Sequence, residues 1–126
     1  MLNYFPGHHF GKGASIYSQS PTRGYHPTYN TGTQPYTSPV GAFAANGFGL
    51  YDLCGNVWEW CWDAYGGYAA ASTNDPRGPS SGSERVLRGG GWAYTAYNCR
   101  VARRDHFDPT SMGRCIDVGF RCVLPK

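Results

Sequence analysis

A single domain of short antiparallel strands, few helices and much ordered loop is what this 126-residue sequence predicts. Aromatic residues make up 16% of it and glycine fills 18 positions, while only 40% is apolar. A core assembled from such a chain leans on Trp, Tyr and Phe, each of which buries a large area from one position. Glycines and nine prolines punctuate the whole length, which breaks up any long period and excludes a helical bundle. A chain of this size buries roughly two-thirds of its surface on folding, enough for one core. Residues 1–126 therefore read as one unit without internal repeat.

The elements follow in chain order. Residues 1–39 are rich in Tyr, Pro, Gly, Ser and Thr. Ala14-Ser15-Ile16-Tyr17 forms a short element there, and 22–38 an ordered loop whose Tyr25, Tyr29 and Tyr36 lie over the core. Asn46-Gly47 marks a turn. From Val57 to Asp63 the residues Trp58, Trp60 and Trp62 alternate with Glu59, Cys61 and Asp63, which is the period of a strand with its tryptophans on the buried face. The rival reading of that face is a sugar-stacking platform. Residues 66–84 are a Gly/Ala/Ser/Pro linker with a turn at Asp75-Pro76-Arg77-Gly78-Pro79. Arg85-Val86-Leu87-Arg88 starts a second strand, ended by three glycines that let another segment pack closely. Residues 100–104 and 118–123 are expected to be the next strands.

Charge and cysteine usage narrow the function classes. The formal charge is +3, and from residue 85 onward eight Arg and Lys face three Asp. Without a basic run or stripe, nucleic acid is not an expected partner. No basic-then-apolar leader and no membrane-length apolar run is visible, so membrane insertion is not expected. The cysteines, Cys54, Cys61, Cys99, Cys115 and Cys122, cannot all pair within one chain, and their spacings do not match a structural zinc site. One or two disulfides remain compatible with them. His8 and His9 point in different directions in extended chain and lack a third ligand. Asp105, His106 and Ser111 lack the nucleophile elbow and oxyanion motif of a hydrolase.

Residues 85–121 show a sharper contrast. Arg88-Gly89-Gly90-Gly91-Trp92, Cys99-Arg100-Val101-Ala102-Arg103-Arg104 and Gly119-Phe120-Arg121 supply what a rigid frame needs: close backbone approach, burial and anchoring hydrogen bonds. Between them lie Ala93, Tyr94, Thr95, Tyr97, Asp105, His106, Phe107, Asp108, Ser111, Gly113, Cys115, Ile116 and Asp117, mixed in type and without helix or strand periodicity. A frame filled with such residues reads as a scaffold that presents a binding surface. The alternative for Phe107 and Ile116 is plain burial in the core.

The runs Pro39-Val40-Gly41-Ala42-Phe43, Asn46-Gly47-Phe48-Gly49-Leu50-Tyr51-Asp52, Gly55-Asn56-Val57-Trp58-Glu59-Trp60, Arg88-Gly89-Gly90, Cys99-Arg100 and Gly119-Phe120-Arg121 resemble the formylglycine-generating enzyme (sulfatase-modifying factor) family. The resemblance covers about residues 39–123 and implies a C-type-lectin-like α+β fold. Enzymes of that family bind copper and oxidise a substrate cysteine through two closely spaced cysteines after the Gly-Gly segment. Here that interval holds Cys99 alone, and one thiol does not supply a two-thiolate site. The frame is also similar to that of variable proteins of diversity-generating retroelements, in which adenine-directed mutation of AAY-type codons diversifies a binding surface. All thirteen fill-in residues belong to the set such codons can reach, whereas Met112 does not.

This second resemblance implies a non-enzymatic protein that binds a macromolecular partner, protein or glycan, through residues 93–97 and 105–117. Trp58, Trp60, Arg88, Trp92, Arg100, Arg104, Phe120 and Arg121 form its scaffold, with Trp92 and Phe120 in the core and Arg121 capping the last strand. Display on a surface or virion through a partner is the expected setting, and no cofactor is required. The resemblance to the enzymes assigns a structural calcium ion to Asp52, Gly55, Val57 and Glu59, where oxygen ligands suit that ion; turn capping or arginine pairing is the alternative for the two carboxylates. A diverged oxidase and a carbohydrate-binding module are the competing functions.

Overall fold

The computed structural model describes residues 26, 28, 29, 31–68, 74, 76, 78–94, 96–111 and 115–124. Ala14–Tyr17, Tyr25, His8 and His9 lie outside them. Four strands form one sheet: β1 (Trp58–Ala64), β2 (Arg85–Arg88), β3 (Asp105–Phe107) and β4 (Val118–Gly119), with a single 3-10 turn at Ala96–Cys99 among the described residues. Their order across the sheet is β3-β2-β1-β4. The expected short strands, few helices and ordered loop are all present. Two pairs are antiparallel, β1 with β2 and β2 with β3. β4 runs parallel to β1, matching Trp58 to Val118 and Glu59 to Gly119, so the sheet is mixed rather than wholly antiparallel. No helix among the described residues is long and apolar enough to cross a membrane.

Among the described residues the core centres on β1 and β2. Trp58, Ala64, Val86, Leu87 and Trp92 are its buried apolar residues. Val86 and Leu87 are neighbours on one strand and so point to opposite faces; both being buried means that β2 is covered on both sides. Gly91 makes the approach of Trp58 possible, since a Cβ there would stand 3.1 Å from its ring carbon Cδ1. Tyr36 places the preceding loop over this core, its ring 5.5 Å from that of Trp92 and edge-on at 78°.

Three expectations are corrected. Trp62 is 87% exposed rather than buried. β1 pairs Trp60 with Leu87 and next Ala64 with Arg85, so extra residues of β1 bulge between those pairs and break the alternation. Trp62 swings outward, its carbonyl accepting from Arg85 Nη1 at 2.9 Å while the Arg85 guanidinium lies 5.8 Å from its ring. Residues 100–104 form a turn rather than a strand, because Arg88 reaches in and donates to the carbonyls of Val101 and Arg103, both at 3.0 Å. The last strand stops at Gly119, and Phe120 is 75% exposed rather than in the core. Beyond Gly119 the Arg121 side chain reaches Glu59 near the start of β1.

Candidate functional site

Backbone anchoring comes first. The carbonyl of Asp117 accepts from Trp58 N–H at 2.8 Å, and that of Asn56 accepts from Trp92 N–H at 2.8 Å. Trp92 then donates its indole N–H to the carbonyl of Ile116 at 3.2 Å. These bonds tie segments 91–94 and 115–118 to one another and to the start of β1. Asn56, absent from the sequence-based scaffold, is central to the tie. It takes a left-handed conformation at φ 66°, which asparagine tolerates better than most residues, and its side chain exchanges two hydrogen bonds with the backbone of Ser38. The signal for it was the Gly55-Asn56 pair, a turn-forming dipeptide.

On this base the structure brings together part of the fill-in set. Tyr94 lies edge-on to Trp58, centroids 5.5 Å apart at 82°, and is half-buried. Burial, followed by the charge and hydrogen bond of Asp117 and the charges of Asp105 and Cys115, pushes its hydroxyl far above the ordinary tyrosine range. Four residues from three separate segments, Tyr94, Asp105, Cys115 and Asp117, therefore share one neighbourhood. Burial and then Asp117 also raise Cys115. Ala93 and Ile116 flank the group, exposed. Tyr97 is 60% exposed, with the Arg100 guanidinium 4.0 Å from its ring; Arg100 Nε donates to the carbonyl of the same residue.

The remaining fill-in residues go elsewhere. Residues 105–107 form β3, an edge strand rather than loop, so His106 points away from the face that Asp105 and Phe107 share. His106 stacks on Tyr65 with centroids 3.9 Å apart and puts Nδ1 3.0 Å from Glu84. Arg104 completes that second cluster, donating to the Gly66 carbonyl at 2.8 Å and covering Tyr68 at 3.9 Å. Asp105 pairs with Arg103 at 3.2 Å. Asp108 closes a turn of its own by accepting from the Thr110 N–H and hydroxyl, bonds that hold its carboxyl below the usual range. Ser111 belongs to the same turn. Phe107 is half-buried, whereas Ile116 is 55% exposed, so outright burial is not the fate of either. Thr95 and Gly113 lie outside the described residues.

Arg121 forms a clamp at the opposite edge. It donates to both carboxylate oxygens of Glu59, at 2.6 and 2.5 Å, and to the carbonyls of Tyr51 and Asp52. Glu59 and Asp52 are the carboxylates to which the enzyme resemblance assigns calcium. Asp52 Oδ2 accepts from Gly41 N–H at 2.6 Å, and its buried Oδ1 has no hydrogen-bond partner among the described residues. Gly55 gives its N–H to the Gly89 carbonyl, while Val57 adds only backbone. Arg121 thus holds Glu59 in bidentate geometry, the charge-assisted pairing that is the alternative role for this carboxylate. Arg121→Ala is expected to cost about 1–2 kcal/mol, after allowance for partial exposure of the pair. Thermal unfolding in chelator and in millimolar calcium would check this, with calcium restoring none of the loss.

Comparison with known proteins follows the same frame. A family model described as the sulfatase-modifying factor enzyme 1-like domain matches residues 3–126. The formylglycine-generating enzyme of Thermomonospora curvata is 43% identical over 111 residues, 80% of this chain and 36% of the relative. The chain thus spans about a third of the length of such curated relatives. Among solved structures, Treponema denticola variable protein 1 superimposes with a TM-score of 0.60 at 45% identity, over 67% of this chain and 30% of the other. PvdO from Pseudomonas aeruginosa gives 0.58 at 32% identity, over 67% and 32%.

Proposed function

We propose that this chain, which belongs to the sulfatase-modifying factor enzyme 1-like domain family, is a ligand-binding protein without catalytic activity whose displayed side chains are diversified by a retroelement. One observation carries the reading: residues outside the displayed set hold the backbone of the displayed segments. Trp58 and Trp92 fix residues 117 and 116 through their carbonyls, and Arg88 fixes Val101 and Arg103 in the frame that separates the two displayed segments. A side chain attached to such a backbone is free to change without changing the path that carries it. The similarity to a variable protein supports the same reading.

Tyr97 and Ile116, exposed and offering large apolar area, are the natural contact anchors, each contributing about 1.5–3 kcal/mol when covered by a partner. Asp117 and Asp105 set the charge preference of the central group. The relatives named as formylglycine-generating enzymes support the competing oxidase reading. Against it stands the interval from Gly89 to Arg104, where Cys99 is the one thiol, half-buried and raised chiefly by burial. A thiol so shifted is a weaker nucleophile and metal ligand at neutral pH. The exposed Trp62, in a shallow depression with Trp60, Arg85 and Pro109, favours a carbohydrate-binding reading as the second choice.

The test is a displayed library in which only the thirteen fill-in positions vary, selected against a panel of purified surface proteins and glycans. Folded members with distinct specificities are expected. Copper-dependent oxidation of a thiol peptide by the parent chain, abolished by Cys99→Ser, would overturn the proposal. So would glycan binding shared by all members and lost with Trp62→Ala.

A further inference from the structure

An open groove of about 520 Å³ has Leu53, Cys54, Arg88, Gly89 and Cys99 in its lining. Two cysteines from distant parts of the chain thus face one space, and both are free thiols. The glycine run brings them there. Gly55, next to Cys54, donates its N–H to the Gly89 carbonyl at 2.8 Å, and a Cβ on Gly89 would stand 3.3 Å from the Leu53 carbonyl. On the other side, a Cβ on Gly90 would stand 2.8 Å from Cys99 Sγ. Cys54 and Cys99 therefore flank the same two glycines, and the Cys99 thiol feels the charge of Cys54. Cys54 is exposed and Cys99 half-buried, so an oxidant in solution meets Cys54 first.

We propose that Cys54 and Cys99 are an oxidisable pair that closes into a disulfide, locking the 3-10 turn Ala96–Cys99 to the loop before β1. The inference is independent of what the surface binds, although the locked turn carries Tyr97. The chemistry is ordinary thiol–disulfide exchange with a small-molecule disulfide such as oxidised glutathione. The Cys54 thiolate attacks it, forming a mixed disulfide and expelling one glutathione thiolate. The Cys99 thiolate then attacks the Cys54 sulfur, forming the protein disulfide and expelling the second. The two protein protons pass to solvent, and each oxidant molecule is reduced to two thiols. Burial raises the Cys99 thiol, so the closing step accelerates as pH rises from neutral.

The experiment uses the intact reduced chain, treated with oxidised glutathione at mildly alkaline pH and digested without reduction. Peptide mass mapping is expected to join Cys54 to Cys99, with titratable thiols falling from five to three. Because the bridge closes a long loop, the melting temperature should rise on the order of 10 °C and fall back with dithiothreitol. Cys54→Ser and Cys99→Ser should each abolish the rise. Five remaining thiols, a glutathione adduct that stops at Cys54, a bridge between any other two cysteines, or a rise that survives either variant would overturn the proposal.

Discussion

Trp58→Ala is expected to cost about 3–5 kcal/mol, and Trp62→Ala under about 1 kcal/mol, although both tryptophans belong to the same strand. Trp58 is 2% exposed and meets Gly91, Tyr94 and the segment around Asp117. Its removal would leave a cavity beside Gly91 and Tyr94. Trp62 touches the guanidinium of Arg85 and otherwise faces solvent. Urea denaturation of the two variants beside the parent would separate them by a clear shift in midpoint. Equal losses would mean that the bulge in β1 is absent and the tryptophan face continuous.

Gly90→Ala is the second large effect, expected at about 2–5 kcal/mol. Two independent terms add. The residue has φ +77°, a conformation that costs an L side chain roughly 1–2 kcal/mol. A Cβ would also stand 2.8 Å from Cys99 Sγ and 3.0 Å from the Asn98 carbonyl carbon, and forcing atoms into packed space costs about 1–3 kcal/mol. Controls separate the terms. Gly32 has a similar φ, +81°, with nothing within 4 Å among the described residues, so Gly32→Ala should show the conformational cost alone. Gly67 has no positive φ and nothing within 4 Å among the described residues, so Gly67→Ala should be neutral within about 0.5 kcal/mol. Thermal melts of the three variants check the ranking. A loss at Gly90 no greater than at Gly32 would remove the 3-10 turn from its place against the glycine run.

Local chemistry made part of this legible. The second strand appears where Arg85–Arg88 placed it, because a short apolar pair between arginines and a glycine stop leave little alternative. Trp92 is buried as its position after the glycines implies. Arg88, Arg100 and Arg104 donate to carbonyls as anchoring arginines should. Long-range register was not legible. Trp62 obeys perfect strand alternation on paper, and only pairing with β2 introduces the bulge that turns it out. Phe120 follows a strand that depends on two parallel pairs with β1, and nothing local reveals how soon that pairing ends. The fill-in residues looked like one surface because they are close in sequence. Formation of β3 divides them instead, sending Asp105 toward Tyr94 and His106 toward Tyr65 and Glu84. Tyr94 is likewise less independent than its neighbours, since it rests on Trp58.

The most direct measurement concerns the indole N–H of Trp92, which reports on the carbonyl of residue 116 and not on its side chain. Ala93, Tyr97, Ser111, Cys115 and Ile116 would be replaced together, and exchange of that proton with solvent followed by nuclear magnetic resonance. If the path of the chain is set by the frame, the proton keeps its parental protection and the resonance its position while the outer surface is remade. Rapid exchange, or a shifted resonance with loss of cooperative melting, would show that the displayed side chains help to hold the fold, and the binding-scaffold account would be wrong.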